Sequence, residues 1–253
     1  MKRNKINKYL ASLFFLSIII VLLIFSTNCA DEKPSRMTLI SKYKLDIPEP
    51  SALSLNADTN SLWTVSDNNS TVYLISLTGK ILSSFVLANA QDLEGVEFVN
   101  DSTLAVVSEF SDELIFCSLQ GIERGRYKIN AKLTNDHGLE GVAFKKDSNS
   151  FCVINEKSPS LLIELTNDFF ETHRTEITSM SDISDIYYDN EENITWLLSD
   201  EDHAIFRFNS EGVLIEKLTI DVNQPEGLAY DKQNNFIYVV SDKTGELFIY
   251  KLK

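Results

Sequence analysis

Residues 138–157 read GLEGVAFKKDSNSFCVINEK. A short apolar run carrying Leu139, Val142 and Phe144 is followed by the polar reversal Lys145–Ser150, where Asp, Asn and Ser favour a tight turn. A second apolar run, Phe151–Ile154, closes on Asn155-Glu156. The stretch predicts a two-stranded hairpin with an acid entering it, Glu140, and an acid leaving it, Glu156.

The same unit recurs along the chain. Aligned on the acid that ends the second strand, the repeats fall at Asp67, Glu109, Glu156, Asp200 and Asp242, at intervals of 42, 47, 44 and 42 residues. The strands before these acids read LWTVS, LAVVS, FCVIN, TWLLS and IYVVS, near-continuous apolar runs of the kind covered on both faces. First strands begin at Ser51, Glu94, Glu140, Ser184 and Glu226, and third strands at Val72, Leu114, Leu161, Ile205 and Leu247. Turns at Gly79, Gly121, Asn167-Asp168 and Gly212 lead into fourth strands over Ile81–Leu87, Arg126–Ile129, Thr172–Ile177 and Val213–Ile220.

Four short antiparallel strands every 42–47 residues is the content of a propeller blade. The chain is therefore expected to be all-β, a five-bladed propeller over residues 38–253. The fifth repeat stops at Lys253 after its third strand, and an unpaired strand would leave an open sheet edge. Thr38–Ile47, with Tyr43, Leu45 and Ile47 alternating, is predicted to supply the missing strand and close the ring. An open superhelical stack of β units is the other architecture with such a period.

Residues 1–29 are set apart. Lys2, Arg3, Lys5 and Lys8 precede the uncharged run Leu10–Phe25, which is short for a membrane span, and Ser26-Thr27-Asn28-Cys29 follows. The ending resembles a lipobox, with Cys29 as the lipidated residue; an uncleaved N-terminal anchor is the alternative. Both place the domain outside the cytoplasm and tethered to a membrane, with residues 30–37 as linker. Without residues 1–29 the chain keeps 19 basic and 37 acidic residues, a balance of −18. Such a surface repels nucleic acid and suits cations, and a monomer is expected.

In a propeller the first strand of each blade is innermost. Ser51, Glu94, Glu140, Ser184 and Glu226 are then expected around the mouth of the central channel, with Asp67, Glu109, Glu156, Asp200 and Asp242 in a second ring on the same face. Converging carboxylates raise one another's pKa or recruit a cation, and an all-oxygen site selects a hard one. Glu94, Glu140 and Glu226 are the candidate ligands and calcium the candidate ion, while the outer acids read first as caps of their own Ser-Asp and Ser-Glu turns. The glycines after the three glutamates are expected to permit sharp backbone turns at the axis. His137 and His203 are placed on the acidic face and His173 at a blade edge. Cys117 and Cys152 read as buried free thiols, and Trp63 and Trp196 as equivalent core positions. No GxSxG, HExxH, P-loop or dinucleotide fingerprint is present.

On the repeated Leu93-Glu94-Gly95-Val96, Leu139-Glu140-Gly141-Val142 and Pro225-Glu226-Gly227-Leu228, and on the Ser-Asp/Glu strand endings, the chain resembles the SdiA-regulated (YjiK-like) family. The resemblance implies a small extracytoplasmic propeller without an established reaction. It also extends to calcium-dependent propellers of the lactonase type, in which a glutamate at a first-strand start helps hold a channel metal. Those have six blades, and here Ser51 and Ser184 interrupt the glutamate ring. The functional expectation is a calcium-binding interaction module for a small-molecule or protein ligand, with a metal-dependent lactonase- or phosphoesterase-like hydrolase as the alternative.

Overall fold

The structure, a computed structural model, describes residues 36–130 and 138–253. Within them the chain forms twenty strands in five four-stranded antiparallel sheets. Blade 1 holds β2 (Pro50–Leu55), β3 (Ser61–Ser66), β4 (Thr71–Ser76) and β5 (Ile81–Val86). Blade 2 holds β6 (Leu93–Asn100), β7 (Thr103–Ser108), β8 (Glu113–Cys117) and β9 (Glu123–Lys128). Blade 3 holds β10 (Leu139–Lys145), β11 (Ser150–Asn155), β12 (Leu161–Leu165) and β13 (Glu171–Glu176). Blade 4 holds β14 (Asp185–Asp189), β15 (Ile194–Ser199), β16 (Ala204–Phe208) and β17 (Leu214–Thr219). Blade 5 consists of β18 (Pro225–Asp231), β19 (Phe236–Ser241), β20 (Glu246–Leu252) and, from the other end of the chain, β1 (Met37–Lys44).

The ring closes as the incomplete fifth repeat requires. β1 pairs antiparallel with β20, from Met37↔Leu252 to Lys44↔Glu246, across a bulge between Leu39 and Ser41. The strand begins one residue before the expected boundary, and Met37 is buried between blades 4 and 5. Leu45 and Ile47, beyond the strand, are buried between blades 5 and 1. The first strands β2, β6, β10, β14 and β18 contact one another in a closed circuit around the axis.

There is no single core. Five apolar clusters fill the five blade interfaces. This explains the continuous apolar second strands, because alternate side chains point to opposite neighbours. In β11, Phe151 and Val153 pack toward blade 2, whereas Cys152 and Ile154 pack toward blade 4. Trp63 and Trp196 fill the corresponding place in two interfaces, and Cys117 and Cys152 are buried free thiols in two different ones. The fourth strands are mostly exposed. One of them departs from expectation: β9 starts at Glu123, not Arg126, because the Gly121 turn closes at once through Gly121 N–H to Ser118 O at 2.9 Å.

The glycines that follow the inner glutamates serve a purpose other than the one expected. Gly95, Gly141 and Gly227 do not have the positive φ of a sharp turn. What they lack is room. A Cβ on Gly227 would lie 2.6 Å from the Ala52 backbone, and one on Gly95 would lie 2.7 Å from Glu140 O. Adjacent first strands approach so closely at the axis that only a hydrogen fits.

Candidate functional site at the acidic channel mouth

The site is built by one feature of the first hairpin in the three blades that carry an inner glutamate. The β6/β7 register skips Glu94, the β10/β11 register shifts between Leu139 and Val142, and the β18/β19 register skips Glu226. The inner glutamates therefore stand at β-bulges, which unpair a residue and re-aim its side chain. The E-G pair in the sequence is the signature of that bulge.

The side chains so aimed surround a cavity of about 250 Å³ at one end of the ring. Every expected ring position lines it: Ser51, Glu94, Glu140, Ser184 and Glu226 from the strand starts, and Asp67, Glu109, Glu156, Asp200 and Asp242 from the strand ends. The cavity also takes in Glu49, Asp182 and Gln224, which sequence reasoning missed. These lie two residues before the inner position in their blades, as Asp92 does in blade 2. Their shared offset was the available signal. Their backbones bind the outer ring: Glu109 N donates to Asp92 O at 2.8 Å and Asp242 N to Gln224 O at 3.1 Å.

The serines before the outer acids tie the turns. Ser66 Oγ donates to Pro48 O at 2.6 Å and Ser108 Oγ to Gln91 O at 2.6 Å, while Ser241 Oγ reaches Asn223 O and Ser199 Oγ reaches Asp182. That leaves Oδ1 of Asp67 and of Asp242 buried without a hydrogen bond. For those two acids, turn capping does not use up the carboxylate. Glu156 is paired with Lys157 at 2.8 Å.

Burial dominates the electrostatics. It pushes Glu94 up to about 8 against the opposing Ser51 hydrogen bond, Glu226 up to about 9 with Glu94 adding, and Asp67 up to about 7 with Glu49 and Asp242 adding. Glu140 is held well above the usual carboxylate range, by burial first and then by Glu94 and Glu226. It is only 8% exposed, and among the described residues its carboxylate has no hydrogen-bond partner. Among the described residues, the set of three carboxylates whose oxygens approach within 4.8 Å of one another is Asp92, Glu94 and Glu109, all from blade 2. Glu140 and Glu226 line the cavity outside that set. Calcium–oxygen distances of about 2.3–2.6 Å put opposed ligand atoms about 5 Å apart, so the spacing fits a calcium-sized ion.

The mouth has a floor. Asp185, 2% exposed, occupies the position taken by glycine in three other blades. Its Oδ2 accepts from Leu53 N at 3.2 Å and Leu228 N at 2.7 Å, and its Oδ1 from Ile186 N at 2.8 Å. One side chain thus joins blades 1, 4 and 5, and the space it needs is the space Gly141 leaves, where a Cβ would come within 2.9 Å of Oδ1. Glu97 makes a similar link, accepting from Ser54 Oγ at 2.8 Å and Phe144 N at 3.2 Å. Burial pushes it up to about 7, and it borders a second cavity of about 230 Å³ at the other end of the ring. Asp185→Ala would strand three buried N–H donors at about 1–3 kcal/mol each. A fall in melting temperature of about 10 °C or more is expected by calorimetry, whereas a surface acid such as Glu211→Ala should leave it unchanged.

Neither described histidine lines the cavity. His203 sits in the turn after Asp200 with Nδ1 2.8 Å from Val222 O. His173 is exposed on β13. His137, like Cys29 and the rest of residues 1–35, lies outside the described residues.

These features define a five-bladed β-propeller with an acidic, floored channel mouth. Residues 37–252 match the SdiA-regulated family, and the chain belongs to it. Among solved structures it is similar to a streptogramin B lyase, at 16% identity and a TM-score of 0.52, covering 85% of this chain and 73% of that one. It is similar also to virginiamycin B lyase from Staphylococcus aureus, at 16% identity and a TM-score of 0.51, covering 85% and 74%. At such identity the likeness is one of fold.

Proposed function

We propose that this protein is a membrane-tethered, extracytoplasmic propeller that binds calcium at its acidic mouth and presents that mouth to a small-molecule or protein ligand. The observation that carries the reading is Glu140: a carboxyl side chain buried at the axis, without a hydrogen-bond partner among the described residues, facing a cavity that these residues line with acids, two serines and a glutamine and with no lysine or arginine. Burying a carboxylate without compensation is costly, and a hard dication removes the cost for several acids at once. Asp92, Glu94 and Glu109 supply the close-set oxygens, and Glu140 and Glu226 add charge from the cavity wall.

Isothermal titration of calcium into EDTA-treated protein is expected to show one saturable site. Glu94→Gln should weaken it about tenfold or more, and Glu140→Gln should weaken it by a smaller factor. The absence of binding heat in the parent protein would overturn the reading. The tether rests on Lys2, Arg3, Lys5 and Lys8, the run Leu10–Phe25 and Cys29. In the native host, Cys29→Ser is expected to abolish lipid incorporation at that residue. Persistent membrane retention without lipid would support the uncleaved anchor.

A second reading, a metal-dependent hydrolase, is favoured by Asp67. Its buried Oδ1 has no hydrogen bond, and a carboxyl pushed up to about 7 is suited to proton transfer at neutral pH. Turnover of a lactone or phosphoester that needs both calcium and Asp67 would decide for it.

A further inference from the structure

The end of the ring opposite the acidic mouth has a pattern of its own. Each third strand ends there and turns into the fourth, as the register from Ser66↔Thr71 to Ser61↔Ser76 shows for blade 1. The same hydrogen bond closes each corner: Ser76 N to Lys80 O at 2.8 Å, Ser118 N to Ile122 O at 2.8 Å, Thr166 N to Phe170 O at 2.9 Å, Asn209 N to Val213 O at 3.0 Å. In blade 5 the outer strand comes from the other end of the chain, and Lys253 N donates to Arg36 O at 2.8 Å. Lys80, Ile122, Phe170, Val213 and Arg36 are therefore one position repeated around the ring.

None of these five is an acid, in a chain with 37 acids. Ile122 is 69% exposed, Phe170 72% and Val213 53%, and Lys80 and Arg36 are exposed too. Single exposed apolar residues are ordinary. Three at equivalent corners of one face, completed by Lys80 and by Arg36, which shares Glu216 with Arg207 at 2.5 Å from each, form a pattern. The acids that follow two of the corners are turned aside: Glu123 pairs with Arg126 at 2.9 Å and Glu171 with Arg174 at 2.6 Å. Asp168 and Glu211 remain in the turns, and the inner turns carry Asp58, Asp101, Asp147, Glu191 and Glu192 against Lys146 and Lys232, with Lys232 paired to Asp189, Glu191 and Glu192. The concentrated negative charge is at the other mouth. Arg36 is also where the chain continues into its N-terminal residues. Six residues separate Cys29 from Arg36, and the seven steps between them reach at most about 25 Å.

We propose that this corner face lies against the membrane, with Lys80 and Arg36 meeting anionic headgroups and Ile122, Phe170 and Val213 entering the interfacial layer. The inference rests on the tethered reading above. Short covalent reach and exposed apolar corners select this face, and the denser carboxylates of the opposite mouth, repelled more strongly by anionic lipid, turn that mouth outward, toward soluble ligands.

The test uses the full chain reconstituted in vesicles of phosphatidylcholine and phosphatidylglycerol with brominated acyl chains. Phe170→Trp and Val213→Trp report on the corners, and Phe110→Trp reports on the acidic end, where Phe110 is 68% exposed. Emission is read against the parent, whose Trp63 and Trp196 are buried. The corner tryptophans are expected to lose about half of their emission, since interfacial side chains sit about 5–10 Å into the bilayer boundary, and Phe110→Trp to lose none. Lys80→Glu should weaken the corner quenching. Equal quenching at Phe110→Trp, or no quenching at the corners of protein that floats with the vesicles, would overturn the docking face and leave the tether standing. Failure to float would overturn both.

Discussion

In EDTA the melting temperature is expected to fall as pH rises from 5 to 9, the reverse of the usual behaviour of paired carboxylates. The sign follows from proton counting. Asp67, Glu94 and Glu226 have folded pKa values of about 7, 8 and 9, above their ordinary values of 3.8, 4.5 and 4.5. Between those limits the native state holds more protons than the unfolded chain, so stability declines with pH. It is complete below about pH 4 and is lost as pH passes through the folded values. A fall of about 5–10 °C, or about 2–3 kcal/mol for a domain of this size, is expected across that range. Saturating calcium should flatten or invert the slope, because it replaces the protons; at one hundred times the dissociation constant it adds about 2.7 kcal/mol. Glu94→Gln and Glu226→Gln should each flatten the EDTA slope, since an amide has nothing to titrate. A melting temperature that is independent of pH in EDTA would show that the mouth carries no raised carboxyls.

The second large effect concerns closure. Deleting residues 36–44 removes β1, strips β20 of its outer partner and uncovers the cluster that buries Met37. The exposed edge would run over Glu246–Leu252. Such an edge is a template for pairing with another chain, so the deletion is expected to give aggregates without a cooperative thermal transition. Permutation separates closure from simple loss of residues. Lys253 N donates to Arg36 O at 2.8 Å, so β1 can be reattached after Lys253 through a short turn, as a hairpin like those of the other blades. That permuted chain should melt within about 5 °C of the parent, since the same strand pairs in the same register. A permuted protein as disrupted as the deletion would show that closure depends on chain order rather than on pairing.

Much of this protein is legible in its primary structure because the repeat is visible without any long-range information. The alternation of Phe151, Cys152, Val153 and Ile154 between two interfaces appears as an unbroken apolar run, and the truncated fifth repeat announces the strand that must complete it. Both rings of the mouth followed from counting offsets within the repeat, and all ten positions line one cavity. Met37, missed by one residue as a strand start, shows the ordinary limit of locating boundaries by pattern.

What the sequence determined by itself was thus the number of blades, the closing strand and the face on which the acids gather. Each is set by local periodicity. Only the tertiary structure decided how close those blades come at the axis, and from that the rest follows. It made Gly95, Gly141 and Gly227 a matter of space rather than of φ, and it brought Asp92, Glu94 and Glu109 together in one blade instead of one glutamate from each of three. It also turned Asp185 into a floor whose partners Leu53 and Leu228 lie 132 and 43 residues away. Contacts of that kind depend on distances between whole sheets, which no stretch of a single repeat encodes.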